Sequence, residues 1–387
     1  MTPSDRVTPV QAAREAERRL RFTGASLYVR LALLLAWLLV PVVVPSFQVM
    51  DLVLKIALFA TLVASYDVVI GYTGIVSFGH AMYFGFGAYA VAMAVGKFGA
   101  PTYGFLALGF AAGIVAGAVI AVLIGAFSLR VKAIFFAMVT LAFAEFALIV
   151  AVQWSPITGG EDGLSPKFPG IFSVAFDGGR WLGLPVTGRV VTYYVVLAIC
   201  VGLFLVMSRF VHSPLGRTLQ AIRDNELRAE ALGFRTFVFQ LISSSFASVV
   251  ATILGGCYAM WVAYVNPESA LGIPIMLDIL LMVIIGGIGT LWGGVIGAAV
   301  LLTARTVLPD LRVVGATLFA GSEIAQRLSE RWLLYFGILF ILVVFFFPKG
   351  VLGTIRERAA RRAARSRSVP STPFGKKNTT RMKRIPK

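Results

Sequence analysis

The feature that most constrains this chain is a repeated one. Long apolar runs nearly free of charge return ten times, at about 31–47, 51–70, 74–97, 103–127, 133–153, 189–209, 236–263, 271–290, 292–309 and 332–347. A run of about 20 apolar residues is long enough to cross the hydrocarbon of a bilayer as a helix. Water is absent there, so backbone N–H and C=O groups must be satisfied within the protein, which leaves helices or closed barrels. Continuous apolar stretches of this length are helical rather than alternating. Composition agrees: 58% of the 387 residues are hydrophobic and 14% charged, against about 25% charged in soluble domains. The expected fold is all-α, a polytopic integral membrane bundle of about ten transmembrane helices.

Charge orients the bundle. With the N-terminus in the cytosol and alternation from there, 26 of the 35 Lys and Arg fall in segments assigned to the cytosol, as the positive-inside bias requires. Both termini then lie in the cytosol, and the longest loop, 154–188, lies outside; it is rich in Pro and Gly and reads as ordered turns. Three regions follow: a basic segment 1–30, a membrane domain 31–353, and a basic tail 354–387. The basic tail reads as a cytosolic segment touching anionic lipid, and no nucleic-acid partner is expected. A short amphipathic helix is expected at Gln11–Arg21 and a surface helix within Asp310–Arg331. The first apolar run ends in Val44-Pro-Ser46 with no small-x-small pattern, so it reads as a span rather than a cleaved signal.

Two stretches do not suit a regular helix: Gly71-Tyr-Thr-Gly-Ile-Val-Ser-Phe-Gly-His-Ala-Met-Tyr-Phe-Gly-Phe-Gly87 and Ile285-Gly-Gly-Ile-Gly-Thr-Leu-Trp-Gly-Gly-Val-Ile-Gly297. Glycine disfavours a helix interior by about 1 kcal/mol relative to alanine. Glycine clusters at membrane depth predict broken segments, tolerated where they are buried in protein or line a wet cavity. Such interruptions mark substrate sites in some transporters. A different pattern runs through the fourth span, where Gly109, Gly113, Gly117, Ala121 and Gly125 recur every four residues. That spacing puts them on one helix face, where a neighbouring backbone can approach closely; chance in a glycine-rich chain is the alternative. Ser244, Ser248, Thr252 and Gly256 form a weaker version.

Catalytic chemistry finds little to stand on, and no enzyme activity is expected. The two histidines, His80 and His212, are far apart, and Cys200 and Cys257 each lie in an apolar run, so no metal or redox cluster is read. The G-x-x-x-x-G-K-[ST] phosphate loop is absent. Gly96-Lys97 is followed by Phe98, and Gly375-Lys376 by Lys377. No cofactor is expected on this chain. Acids within spans are Asp67, Glu145 and Asp278; such groups face a cavity or a partner. For Glu145 a polar pathway and a helix-to-helix hydrogen bond remain open. His80 reads as a packing residue or a proton relay.

The segment 211–235 stands apart. Ser213-Pro214 suits a helix start and Gly233 a stop. One short helix is expected between them, with Leu215, Leu219, Ile222 and Glu226 on one face and Arg217, Arg223, Arg228 and Glu230 dispersed. It would lie on lipid or dock another protein.

This segment, with Ser213-Pro-Leu-Gly-Arg217, Ala221-Ile-Arg-Asp-Asn-Glu226 and Ala229-Glu-Ala-Leu-Gly233, resembles the coupling segment of branched-chain amino-acid ABC transporter permeases of the LivH/LivM type. Other landmarks follow in the LivM order: Gly71-Tyr-Thr-Gly-Ile-Val-Ser-Phe-Gly-His80, Leu129-Arg-Val-Lys132, Thr158-Gly-Gly-Glu-Asp-Gly-Leu164, Asn266-Pro-Glu-Ser269, Gly286-Gly-Ile-Gly-Thr-Leu-Trp-Gly293 and Phe347-Pro-Lys-Gly350. The Glu-Ala-Ala…Gly pattern is loose, with Leu227 and Arg228 where alanines would stand.

The resemblance implies one of two permease subunits in an ATP-driven importer of the cell inner membrane. Its partners would be a LivH-like permease, two cytosolic ABC ATPases that use the ATP, and an extracytoplasmic solute-binding protein that meets loop 154–188. It implies coupling through Leu215, Gly216, Arg217, Ala221, Arg223, Asn225, Glu226, Glu230 and Gly233. It implies a pathway past Tyr72, Gly74, Ser77, Gly79, His80, Glu145, Asp278, Gly286 and Gly287. Branched-chain amino acids are the expected substrates. Urea or short-chain amides are the alternative, and an ion-coupled secondary transporter is the rival of another class.

Overall fold

The computed structural model describes residues 24–44, 46–98, 101–130, 133–173, 176–181, 184–310, 331–348 and 350–354. The expected helix at Gln11–Arg21, the surface helix within 310–331 and the basic tail lie essentially outside these residues. Leu31–Thr354 packs as one unit. Of the other unit, Met1–Arg30 with Ile355–Lys387, only the start of the first helix is described.

The larger unit is a helical bundle. Its main helices are α1 Gly24–Val43, α2 Phe47–Asp67, α3 His80–Gly96, α4 Tyr103–Ser128, α5 Ala133–Gln153, α6 Gly188–His212, α7 Pro214–Asp224, α8 Glu226–Ala231, α9 Thr236–Val262, α10 Pro267–Leu271, α11 Ile273–Gly286, α12 Leu291–Val307 and α13 Trp332–Phe346. A helix occupies each of the ten positions read from the sequence. Among the described residues, seven are long and apolar enough to cross a membrane, and two shorter apolar ones are Leu31–Val43 and Leu291–Val307. Three expectations need correction. The third span does not start at Gly74: Gly74–Gly79 is non-helical, and α3 starts at His80. The eighth span, expected over 271–290, ends at Gly286 as α11, so Gly287–Thr290 form the turn before α12. The segment 213–233 is two helices, α7 and α8, rather than one.

Consecutive long helices alternate in direction, and their ends gather on two sides. On one side, Gly96 meets Pro166, and the Ile171 amide donates to the Tyr103 hydroxyl at 3.0 Å. Here the loop after α5 forms helical turns and a small antiparallel pair, β1 Asp177–Trp181 with β2 Leu184–Thr187. On the other side lie α7, α8 and both glycine-rich breaks.

The core is α9 laid along α3, with α4 against both and α12 along α2. Small residues permit that proximity. Gly109, Gly113, Gly117, Ala121 and Gly125 all lie on the buried face of α4, the face expected from their spacing. A Cβ at Gly109 would sit 2.9 Å from the Val91 Cα, and one at Gly117 would sit 2.4 Å from the Thr252 hydroxyl. The α3–α9 crossing is closer still. Cβ atoms at Gly87 and Gly255 would stand 1.8 Å from the carbonyl oxygens of Thr252 and Phe84. Lipid tails are as apolar as leucine, so helices in a membrane associate through such fit rather than through water release. The polar members of the α9 stripe, Ser244, Ser248 and Thr252, are buried with it; the Ser248 and Thr252 hydroxyls each donate to the carbonyl four residues back, at 2.8 and 2.9 Å.

Gly255→Leu would force backbone apart at that crossing. A Cβ at Gly202 on α6 would meet nothing within 4 Å. Gly255→Leu is expected to destabilise the detergent-solubilised protein by about 3 kcal/mol, the upper part of the usual overpacking range, and Gly202→Leu to be near neutral. Thermal unfolding followed by tryptophan fluorescence compares the two.

Candidate coupling site and the paired glycine breaks

The coupling segment is built by capping. Ser213 is extended and its hydroxyl accepts from the Gly216 amide at 3.3 Å, with Pro214 in the first turn, where a missing N–H is harmless. Asn225 then breaks the helix at φ −162°, and its side chain accepts from the Arg228 amide at 2.9 Å, starting α8. Gly233 ends the segment at φ +88°, a left-handed conformation that favours glycine.

Gly216, Leu219 and Ile222 of α7 are buried, whereas Arg217, Ala221 and Asn225 are exposed. Leu227 and Leu232 are 80% and 72% exposed. The two acids are exposed but not free. Glu226 accepts from the Gln240 side chain at 3.0 Å, and Glu230 accepts from the Thr236 hydroxyl at 2.8 Å. Both partners belong to the first turns of α9. With Arg130, which lies over the Phe237 ring at 5.9 Å, these groups line a shallow surface hollow of about 400 Å³. Sequence reasoning missed Thr236 and Gln240, which lie outside the segment that carries the pattern, and read Arg130 only as part of the Leu129–Lys132 landmark, not as a neighbour of this segment.

Arg223 behaves unlike its neighbours. Its guanidinium donates to the Gly71 carbonyl. It also lies against the second break, since a Cβ on Gly289 would stand 3.3 Å from Nη1. Its stem covers Gly74, where a Cβ would be 2.6 Å from the arginine Cγ. The residue expected to be part of a dispersed charged surround is thus a polar link between α7 and both breaks.

The two glycine-rich stretches meet at this point. After α2 the chain opens into a π-helical turn, Val68–Thr73, and then into Gly74 at φ +81°. After α11 it opens at Gly287 and Gly289, φ +108° and +81°. Asp67 spans the two: its Oδ1 accepts from the Gly289 amide at 2.7 Å. Gly71 is so close to Gly289 that a Cβ would fall 2.4 Å from its nitrogen, and Gly350 of the Phe347–Gly350 motif lies against Gly287. The Gly74–Gly79 link is held by the Phe78 amide, which donates to the Thr140 hydroxyl at 3.0 Å. The Thr73 and Ser243 hydroxyls pair at 2.7 Å.

The other candidate pathway residues are spread along the bundle rather than gathered at the joint. Tyr72 is half-buried beside the break. Ser77 and Gly79 are buried, and the Ser77 hydroxyl accepts from the Gly79 amide at 3.3 Å. His80 is buried, 2.8 Å from the Ser65 hydroxyl and packed on the Tyr66 ring. Gly286 abuts Gly293 within α11–α12. Asp278 sits farther along α11, ion-paired with Arg305, which lies over Phe336; sequence reasoning does not single out Arg305. Glu145 is half-buried on α5, and no hydrogen bond or ion pair joins its side chain to another described residue.

At the opposite end, two further motifs form one structure. Leu164 and Val265 exchange backbone hydrogen bonds at 2.7 and 2.9 Å, the Tyr264 hydroxyl donates to the Asp162 carbonyl at 3.0 Å, and Gly163 lies against Asn266. Asn266 caps α10, its side chain accepting from the Ser269 amide at 3.1 Å.

The family described as branched-chain amino acid transport system / permease component matches residues 48–347. The chain is similar to the high-affinity branched-chain amino acid transport system permease protein LivM of Salmonella typhimurium, with 28% identity over 307 residues, 76% of this chain and 67% of the relative. The LivM of Escherichia coli matches to the same extent. A probable branched-chain amino acid transport permease protein LivM of Methanocaldococcus jannaschii is 25% identical over 227 residues, 58% of this chain and 61% of the relative. No solved structure matches. The glycine breaks up to Phe347, the coupling segment and the paired loop motifs all fall within the matched residues, and the chain belongs to the branched-chain amino acid transport permease family, a membrane component that works with partner subunits.

Proposed function

We propose that this chain is a transmembrane permease subunit of an ATP-driven importer for branched-chain amino acids. It forms the translocation pathway with a second, related permease. The 213–233 end faces the cytosol, with both termini, and the 154–188 loop faces outward. The ten helices at the apolar positions each cross the inner membrane. One of two ATPases docks on α7 and α8, the other on the second permease, and a solute-binding protein delivers substrate at the opposite end. The relatives' names supply the substrate class. Leu, Ile and Val are its members with a branched aliphatic side chain.

The observation that carries this reading is the Arg223–Gly71 contact beside the Asp67–Gly289 bond. A push on α7 reaches the α2–α3 break directly through Arg223. Asp67 passes it to the α11–α12 break. Breaks are where a helix bends most readily. Hydrolysis at the motor thus becomes relative movement of the two halves of this subunit. Leu227 and Leu232, strongly exposed beside the arginines, supply apolar anchors for the docked ATPase.

Proteoliposomes holding this chain, the second permease, both ATPases and the binding protein are expected to take up leucine, isoleucine and valine with ATP and not with a non-hydrolysable analogue. Uptake by this chain alone on a proton gradient would replace the reading with a secondary transporter. Preference for urea or acetamide would move the substrate class.

Arg223→Ala is expected to leave insertion and complex assembly intact while lowering leucine uptake per ATP hydrolysed by about tenfold, the scale of one lost hydrogen bond to a charged group. Arg217→Ala, exposed on the same helix, is expected to act on ATPase affinity instead. Equal uptake-to-ATP ratios in wild type and Arg223→Ala would disprove the linkage. At Asp67 the asparagine variant keeps a carbonyl acceptor for Gly289 and the alanine variant does not. Coupling is therefore expected to survive Asp67→Asn better than Asp67→Ala in the same assay.

A further inference from the structure

The end of the bundle opposite the coupling segment holds a cavity that the coupling machinery does not use. It lies between the starts of α2 and α6, the end of α9 and the loop at Pro166–Ser173, and encloses about 460 Å³. Ligand pockets for small molecules run from about 300 to 1,000 Å³, so the size suits a single amino acid with water. Its wall is a continuous ladder of side chains. Arg189 lies 4.2 Å above the Phe47 ring. Phe47 stacks on Trp261 with centroids 6.3 Å apart. The Trp261 indole donates to Asp51 Oδ1 at 2.8 Å, and Lys55 pairs with Asp51 Oδ2 at 2.8 Å. Lys167 completes the lining from the loop.

Three cations face one acid here, so the cavity favours a carboxylate. Arginine's planar fork suits that group. Asp51 is held by two donors. A carboxylate offers about four acceptor positions, which leaves room for an ammonium group. Phe47, Trp261 and Met260 give an apolar surface between the charges. Ala263 also lines the cavity, and it is the one non-glycine residue with positive φ among those described, at +54°. Strained backbone of that kind concentrates at ligand sites.

We infer that this cavity is a binding site for the zwitterion of an apolar α-amino acid, with the α-carboxylate on Arg189 and Lys167, the α-ammonium toward Asp51, and the side chain on the Phe47–Trp261 wall. The inference rests on the importer reading, under which this end faces outward. It makes the permease a second recognition point after the binding protein.

The test uses the assembled complex of both permeases and ATPases, without binding protein, and tritiated L-leucine as the probe. Saturable binding is expected. Leucinamide, which lacks the carboxylate, and 4-methylpentanoate, which lacks the ammonium, should compete at least about tenfold more weakly, the scale of one charge-assisted hydrogen bond. Arg189→Gln should weaken leucine binding by a similar factor, with partial recovery in Arg189→Lys. Lys167→Gln, on the loop, gives a second reading if Arg189→Gln fails to assemble. Equal binding by wild type and both glutamine variants would overturn the site. So would equal competition by 4-methylpentanoate, which marks a plain carboxylate site, or displacement by phosphatidylglycerol without discrimination between leucine and leucinamide, which marks a lipid headgroup site. The same complex with binding protein separates the two layers. ATP-driven leucine uptake with no leucine binding to the complex alone defeats this inference and leaves the function standing. Absence of leucine uptake defeats both.

Discussion

Unwound backbone inside a membrane has no water to bond with, and each orphaned group costs free energy comparable to a lost hydrogen bond. This chain unwinds twice at one end of its apolar bundle, and it solves the problem by setting one break against the other. The Gly289 amide goes to Asp67, the Gly71 carbonyl to Arg223, and the Phe78 amide to Thr140. Glycines make that proximity possible: a side chain at position 71 or 350 would collide with the opposing backbone at 289 or 287. The breaks are therefore one joint rather than two defects.

The joint lies at the level of α7. The helix that carries the coupling pattern also supplies the cation that satisfies the unwound backbone. In the proposed coupling, docking surface and joint share a residue. The small-residue seams at α3–α9 and α4 do the opposite: their backbone contacts lock the central helices into one block. A rigid block with a joint at one end can transmit a push as rotation instead of absorbing it as local deformation.

Much of this is legible in the sequence. Apolar run length places a helix at each of the ten positions, because the bilayer enforces length and hydrogen bonding together. Four-residue spacing identifies the buried face of α4, and glycine clusters locate both breaks to within a few residues. Pairing is not legible. Nothing in the spacing of Asp67, Arg223 and Gly289 says that they meet, since contacts between distant segments leave no periodic trace. The same blindness hides Arg305 behind Asp278, and Thr236 and Gln240 behind Glu226 and Glu230. The division of 213–233 into two helices also escapes a reading that treats Asn225 as an ordinary helical position, although an asparagine followed by a good helix former is an N-cap signal. Loop motifs that look like separate landmarks, Thr158–Leu164 and Asn266–Ser269, are two sides of one contact.

The tethering of Glu226 and Glu230 to α9 has a consequence for modularity. Although 213–233 looks in sequence like a detachable docking element, its two glutamates are held by Gln240 and Thr236, Arg223 belongs to the joint, and its hollow is closed by Arg130. Grafted alone onto another permease, the segment would arrive without the groups that hold its shape. The smallest unit that can be exchanged between such transporters runs through the first turns of α9 and includes the partner of Arg223. Under the proposed docking, a change of motor has to be accommodated in patches, across three stretches of sequence at once, rather than along one.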